Sequence, residues 1–99
     1  MLIRSQDKTI IVNIDNAFSI AIRDINGAAS IYVGSQGSCC IIAEYSTKAK
    51  AMKVLDMIQE AYSEYQIMLN FSVSYLHEFK EKTDGFAIFQ MPEDSEVEV

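Results

Sequence analysis

The sequence is short of the residues that most metal, nucleotide and hydrolytic chemistry requires. It has two Cys, one His and no Trp in 99 residues. The two Cys, Cys39 and Cys40, are adjacent. Neighbours in a strand point to opposite faces, so they would not bond to each other. Two unpaired Cys suit a reducing cytosol. With His77 they lack the paired spacing of a zinc site. A Cys–His dyad using His77 is the one nucleophilic arrangement on offer, and nothing in the sequence brings its members together. Cysteines beside Ile41 and Ile42 are more often core filler.

Basic residues are scarce as well. Lys and Arg number 8 against 14 Asp and Glu, for a net charge of −6. Generic phosphate binding needs the opposite balance. Arg4, Lys8 and Arg23 are too few for a nucleic-acid groove, and Lys48, Lys50 and Lys53 point in different directions around a helix. Asp7, Asp15, Asp24 and Asp84 are scattered over turns, without the order of a calcium loop. Gly34-Ser35-Gln36-Gly37 has no following Lys and so is not a phosphate-binding loop. The expectation is a protein that is not an enzyme and holds no cofactor or metal. No apolar run approaches the ~18 residues of a membrane helix, and no signal-peptide pattern follows Met1. A cytoplasmic protein with no membrane contact is expected.

What is present points to a folded domain. The hydrophobic fraction of 49% excludes disorder for most of the chain. A chain of this size buries roughly two-thirds of its unfolded surface, enough for a core without staples. No internal repeat or low-complexity block is visible, so one domain is expected over residues 1–92.

The first half reads as strands. Ile10, Val12 and Ile14 alternate with Ile11 and Asn13. Phe18, Ile20 and Ile22 alternate with Ser19, Ala21 and Arg23, and Ile31 and Val33 with Ser30 and Tyr32. Ile41, Ala43 and Tyr45 alternate with Ile42 and Glu44. Period two with β-branched and aromatic residues marks a sheet with one buried face. Asn26-Gly27 is the strongest hairpin signal, because a type I′ turn needs φ > 0 at both central residues. The short connections allow only antiparallel pairing.

From Thr47 the period changes. Ala51, Leu55, Ile58, Tyr62 and Tyr65 form a helical stripe, widened by Val54 and Ala61. Ser46 or Thr47 can cap its start. Lys48, Lys50 and Lys53 come early and Asp56, Glu60 and Glu64 late, against the helix dipole. Packing must therefore supply most of the helix's stability. Residues 67–82 are ambiguous. Leu69, Phe71, Val73 and Tyr75 alternate like a strand, and Leu76, Phe79 and their charged neighbours suit a helical turn. The extended reading is preferred, with a turn at Thr83-Asp84-Gly85. Phe86 to Met91 reads as a last strand stopped by Pro92. Residues 93–99 read as an acidic, frayed tail. Without Glu93, Asp94, Glu96 and Glu98 the chain would carry 10 acids against 8 bases, a net −2. The fold class expected is α+β: an antiparallel sheet of about five or six strands packed on one main helix over about 47–66.

Four fragments carry a resemblance: Arg4-Ser5-Gln6-Asp7-Lys8, Ala43-Glu44-Tyr45-Ser46-Thr47, Ala51 to Gln59, and Phe89-Gln90-Met91-Pro92-Glu93-Asp94. Together they resemble a family of small uncharacterised proteins of Firmicutes, their phages and mobile elements. Its members look like a β-rich first half, a "GEYST"-like junction, one helix and an "FQMPE"-like last strand. Ala43 stands here where many of them carry Gly. The resemblance implies a genomic setting and no mechanism.

The function expected is therefore that of a small interaction protein of phage or mobile-element type. It would bind and modulate a protein partner, an inhibitor of a bacterial defence nuclease being one form. Met52 and Met57 fall off the main stripe, and exposed Met marks partner surfaces. With Glu60 and Glu64 they are the candidate partner-binding residues. One alternative is a peptide or small-ligand module whose sheet and single helix resemble pleckstrin-homology-like domains, an analogy of fold alone. Another is a homo-oligomeric structural protein, a homodimer pairing through Phe86 to Met91.

Overall fold

The computed structural model describes residues 1–17, 19–35, 38–69 and 88–98. The elements run β1 (Leu2–Arg4), β2 (Ile11–Asn13), β3 (Ser19–Ile25), β4 (Ala28–Ser35), β5 (Ser38–Tyr45), α1 (Lys48–Leu69) and β6 (Ile88–Gln90). Single 3-10 turns lie at Ile14–Asn16 and Asp94–Glu96. The α+β class stands. The strands divide between two three-stranded sheets, however, where one sheet was expected.

β3, β4 and β5 form an antiparallel meander. Ile25 pairs with Ala28, so Asn26 and Gly27 alone make the turn. Both are left-handed, Asn26 at φ 52° and Gly27 at φ 85°, as a type I′ hairpin demands. Ile22 lies opposite Ile31 and Ile20 opposite Val33. With Ala29 they make the face that packs into the core. On the other face the Arg23 guanidinium sits 4.8 Å from the centre of the Tyr32 ring.

β5 breaks its own alternation. Tyr32 pairs with Ile41 and Ile31 with Ala43, so Ile42 is an extra residue in the ladder. This is a β-bulge, which leaves one residue unpaired and bends its strand. Ile41, Ala43 and Tyr45 were expected on one face. Ala43 and Tyr45 are buried, but Ile42 is buried with them and Ile41 is 47% exposed. The bulge is the reason, because it shifts the period by one residue.

The second sheet has the order β2-β1-β6. β1 and β2 are antiparallel, with Ile3 opposite Val12. β1 and β6 are parallel, with Ile3 opposite Phe89. The expectation of purely antiparallel pairing fails here. It rested on short connections, and β6 follows the helix instead of a hairpin. Ile3 is fully buried, and Val12 and Phe89 pack against the same core.

The β1–β2 connection is a turn built on Asp7. Its carboxylate accepts from the hydroxyls of Ser5 and Thr9, both at 2.6 Å, and from the Thr9 amide. These bonds favour the charged form. The Ser5 hydroxyl above all, then Thr9, brings the Asp7 pKa down to about 2. Lys8 follows at φ 67°.

α1 packs on the meander. Thr47 caps it, its hydroxyl accepting from the Lys50 amide at 3.2 Å. Ala51, Val54 and Ile58 are the buried centre of its stripe. Val54, expected only to widen the stripe, is fully buried, and Leu55, expected at the centre, is half-exposed. Ile67, Met68 and Leu69 are helical, not extended as preferred from the sequence. The remainder of that ambiguous segment, with the turn at Thr83-Asp84-Gly85, lies outside the described residues, as do Phe86 and Ala87.

Residues 93–98 are not the frayed tail expected from their charge. The Ser46 amide and hydroxyl both donate to the Asp94 carboxylate, at 2.8 and 3.1 Å. The Lys50 ammonium donates to the Asp94 carbonyl and carboxylate, at 3.0 and 3.3 Å. The Tyr45 hydroxyl donates to the Pro92 carbonyl at 2.7 Å. Glu93 and Glu96 bond reciprocally in a capping box. Lys53 donates to the Glu98 carbonyl, and Val97 is buried. The cause is electrostatic. α1 has no acid in its first turn, and this segment supplies one from a distance. The Ser46 amide, first among its partners, holds the Asp94 carboxyl below the usual carboxylate range. Burial, then the charges of Asp94 and Glu96, push the Tyr45 phenol up.

Candidate binding surfaces

The two edges of the meander are treated differently. At β5 the bulged Ile42 presents its carbonyl to the Gln6 amide at 2.8 Å. The Gln6 side chain then bonds Glu44 twice. Its amide donates to the Glu44 carbonyl at 3.1 Å, and its oxygen accepts from the Glu44 amide at 3.0 Å. The same amide nitrogen reaches the Pro92 carbonyl at 3.3 Å. One residue thus imitates a strand along part of the β5 edge and ties the sheets to the C-terminal strap.

No described strand pairs with the outer edge of β3. An edge strand leaves alternate amides and carbonyls unpaired. Beside the start of β3 lies an open cavity of about 430 Å³. Ile14, Ala17, Ile20, Leu55, Ile58 and Tyr62 are its apolar lining. Ser19, Asp56 and Gln59 are the polar part. Its described lining comes from β3, α1 and the segment before β3, with no described residue of β4 or β5, which sets it at the β3 edge. At one end the Tyr62 hydroxyl approaches the Asp15 carboxylate at 3.4 Å. The other Asp15 oxygen lies 3.2 Å from the Met1 amine.

The residues singled out from the sequence lie elsewhere on α1. Met52 and Met57 are 45% and 37% exposed, and Glu60 and Glu64 are exposed. Met57, Glu60 and Glu64, three and four residues apart, share a strip, and Met52 falls outside it. Neither strip nor Met52 lines the cavity.

Cys39 and Cys40 are free thiols, the first exposed and the second half-buried. Cys40 lines a smaller cavity of about 250 Å³ with Asn13, Asn16 and Ser38 among its neighbours. His77, the other member of the dyad considered above, lies outside the described residues. Among the described residues no three His, Cys, Asp or Glu side chains gather as a metal site would require. No described helix is long and apolar enough to cross a membrane.

Sequence reasoning missed both the Gln6 seal and the cavity. The run Cys39-Cys40-Ile41-Ile42-Ala43, apolar on successive residues, was the available sign of a bulge. Leu55, Gln59 and Tyr62, at helical spacing beside the buried stripe, were the sign of a second helix flank. No family model, no curated protein and no solved structure matches the chain.

Proposed function

We propose that this chain acts by binding another protein and carries no chemistry of its own. The observation that carries the reading is the unequal treatment of the meander's edges. Gln6 closes β5, while β3 keeps a free edge among the described residues, with an apolar cavity beside it. An open edge next to a groove is how peptide-recognition modules add a strand. Exposed large apolar residues, Met57 on α1 and Ile41 on β5, give further contact area.

The wider form of the proposal is a host or phage protein as partner, modulated by this binding, with a defence nuclease as one such target. The strap bears on which form is preferred. Asp94 is engaged by Ser46 and Lys50, so it is not displayed for mimicry of a nucleic-acid backbone. That favours contact through shape and strand pairing. A cytoplasmic setting suits the exposed Cys39 thiol. A second surface, the Met57–Glu60–Glu64 strip, is the alternative contact.

Photocrosslinking tests the reading. A crosslinking residue at Ser19 reports on the β3 edge, and one at Met57 reports on the helix strip. A host protein captured from Ser19 is the expected result, and capture from Met57 alone favours the second surface. No crosslinked protein from either position contradicts the proposal. Light scattering on the free chain separates a homodimer from a heterologous partner.

A further inference from the structure

We propose that the groove between the β3 edge and α1 takes an extended segment of a partner protein as a fourth strand. The segment carries an apolar residue and, two positions away, a Lys or Arg. This rests on the protein-binding reading and names the chemistry of its ligand.

Three observations specify the ligand. The first is the edge itself. Ser19 to Ile25 is seven residues of regular strand, paired only with β4 among the described strands. An incoming strand can satisfy its outward amides and carbonyls. The second is the cavity, which sits at Ser19 and Ile20, the first residues of that strand. Its volume of about 430 Å³ accommodates a Leu- or Val-sized side chain with room to spare. Ile20, Leu55 and Tyr62 are half-buried, so a partner side chain there would cover apolar surface now facing water.

The third is charge. Asp56 lines the groove, and its carboxylate takes part in no ion pair or side-chain hydrogen bond among the described residues. Its nearest cation along the helix, Lys53, is drawn to the Glu98 carbonyl in the strap. Asp15 adds a second carboxylate at the Tyr62 end, held against the Met1 amine. Arg23 stands on the opposite face of the sheet, over Tyr32. A basic side chain on the groove side of the added strand meets Asp56 without a competing cation among the described residues. Side chains on one face of a strand recur every second residue, about 7 Å apart. This sets the two-position spacing between the apolar and basic residues.

The probe is the peptide acetyl-Thr-Leu-Thr-Lys-Thr-Val-Thr-amide, titrated into isotope-labelled full chain and followed by amide chemical shifts. Shifts are expected at Ser19, Ile20 and Ala21 and at Leu55, Asp56 and Tyr62. Affinity should fall roughly tenfold for Asp56→Lys, and equally for a peptide with Glu in place of its Lys. N-methylation of alternate peptide bonds should abolish binding, because the added strand then loses its donors. Ile88→Lys, an exposed position on β6 in the other sheet, should leave affinity unchanged. No shift at millimolar peptide overturns the proposal. So does binding indifferent to Asp56→Lys and to N-methylation. Shifts confined to Met57, Glu60 and Glu64 overturn the groove and leave the protein-binding reading standing, because that reading fails only when neither crosslinking position captures a protein.

Discussion

Gln6 and Glu44, far apart in the chain, bond to each other as two strands do. The Gln6 side-chain amide both donates to the Glu44 carbonyl and accepts from the Glu44 amide, at 3.1 and 3.0 Å. The pair joins the small sheet to the meander and occupies the β5 edge.

Gln6→Ala removes both bonds and leaves Glu44's main-chain groups to water. Stability should fall by about 1–2 kcal/mol, the net worth of such bonds at a half-exposed site. Denaturant unfolding checks the loss. Faster exchange of the Glu44 amide in the variant would assign the loss to this edge.

The helix stripe can be weighed by truncation. Ile58 is 3% exposed, whereas Leu55 is half-exposed and faces the groove. Ile58→Ala should cost about 2–4 kcal/mol, a transfer loss plus a cavity. Leu55→Ala should cost about 1 kcal/mol, because part of its surface is already wet. Equal losses by chemical denaturation would place the stripe where the sequence alone put it.

Two carboxylates predict the acid behaviour. In the folded chain Asp7 lies at about 2 and Asp94 below its ordinary value of 3.8. A depressed folded pKa adds stability that is complete above the unfolded value and is lost as pH falls through the folded one. For Asp7 the window runs from 3.8 down to about 2. Asp7→Asn should therefore lower Tm at neutral pH, with the gap to the parent narrowing across that window. Asp94→Asn should behave likewise, and salt should weaken the Lys50–Asp94 contact that it disturbs. Melting curves across the acid range check both.

Lys8 holds φ 67° in the turn after Asp7. A left-handed conformation disfavours a residue with a Cβ. Lys8→Gly should raise stability by about 0.5–1 kcal/mol, and Lys8→Val should lower it by more. Thermal unfolding of the two variants decides.

Local signals were legible where local chemistry controls the outcome. Asn26-Gly27 supplied its own left-handed pair. Thr47 sat where a hydroxyl can cap. The β-then-α order followed from the change of period at Thr47. What was not legible depends on partners distant in sequence. The bulge at Ile42 coincides with the bond its carbonyl accepts from the Gln6 amide, a partner distant in sequence. The acidic residues after Pro92 look like a solvated tail until Ser46 and Lys50 are placed beside Asp94. The parallel pairing of β6 with β1 joins the two ends of the described chain, which no short-range pattern can specify. The candidate residues Met52, Met57, Glu60 and Glu64 are exposed, as positions off the apolar stripe should be. The groove was missed because Ile20 and Tyr62 look like ordinary core positions in isolation.

The most direct measurement is amide hydrogen exchange on the free chain. Glu44 should be protected although no described strand pairs with the outer edge of β5, and alternate amides of Ser19 to Ile25 should exchange freely. A uniformly protected β3 with a fast Glu44 would contradict the claim that Gln6 seals the β5 edge and that β3 is left unpaired on its outer side, as it is among the described strands.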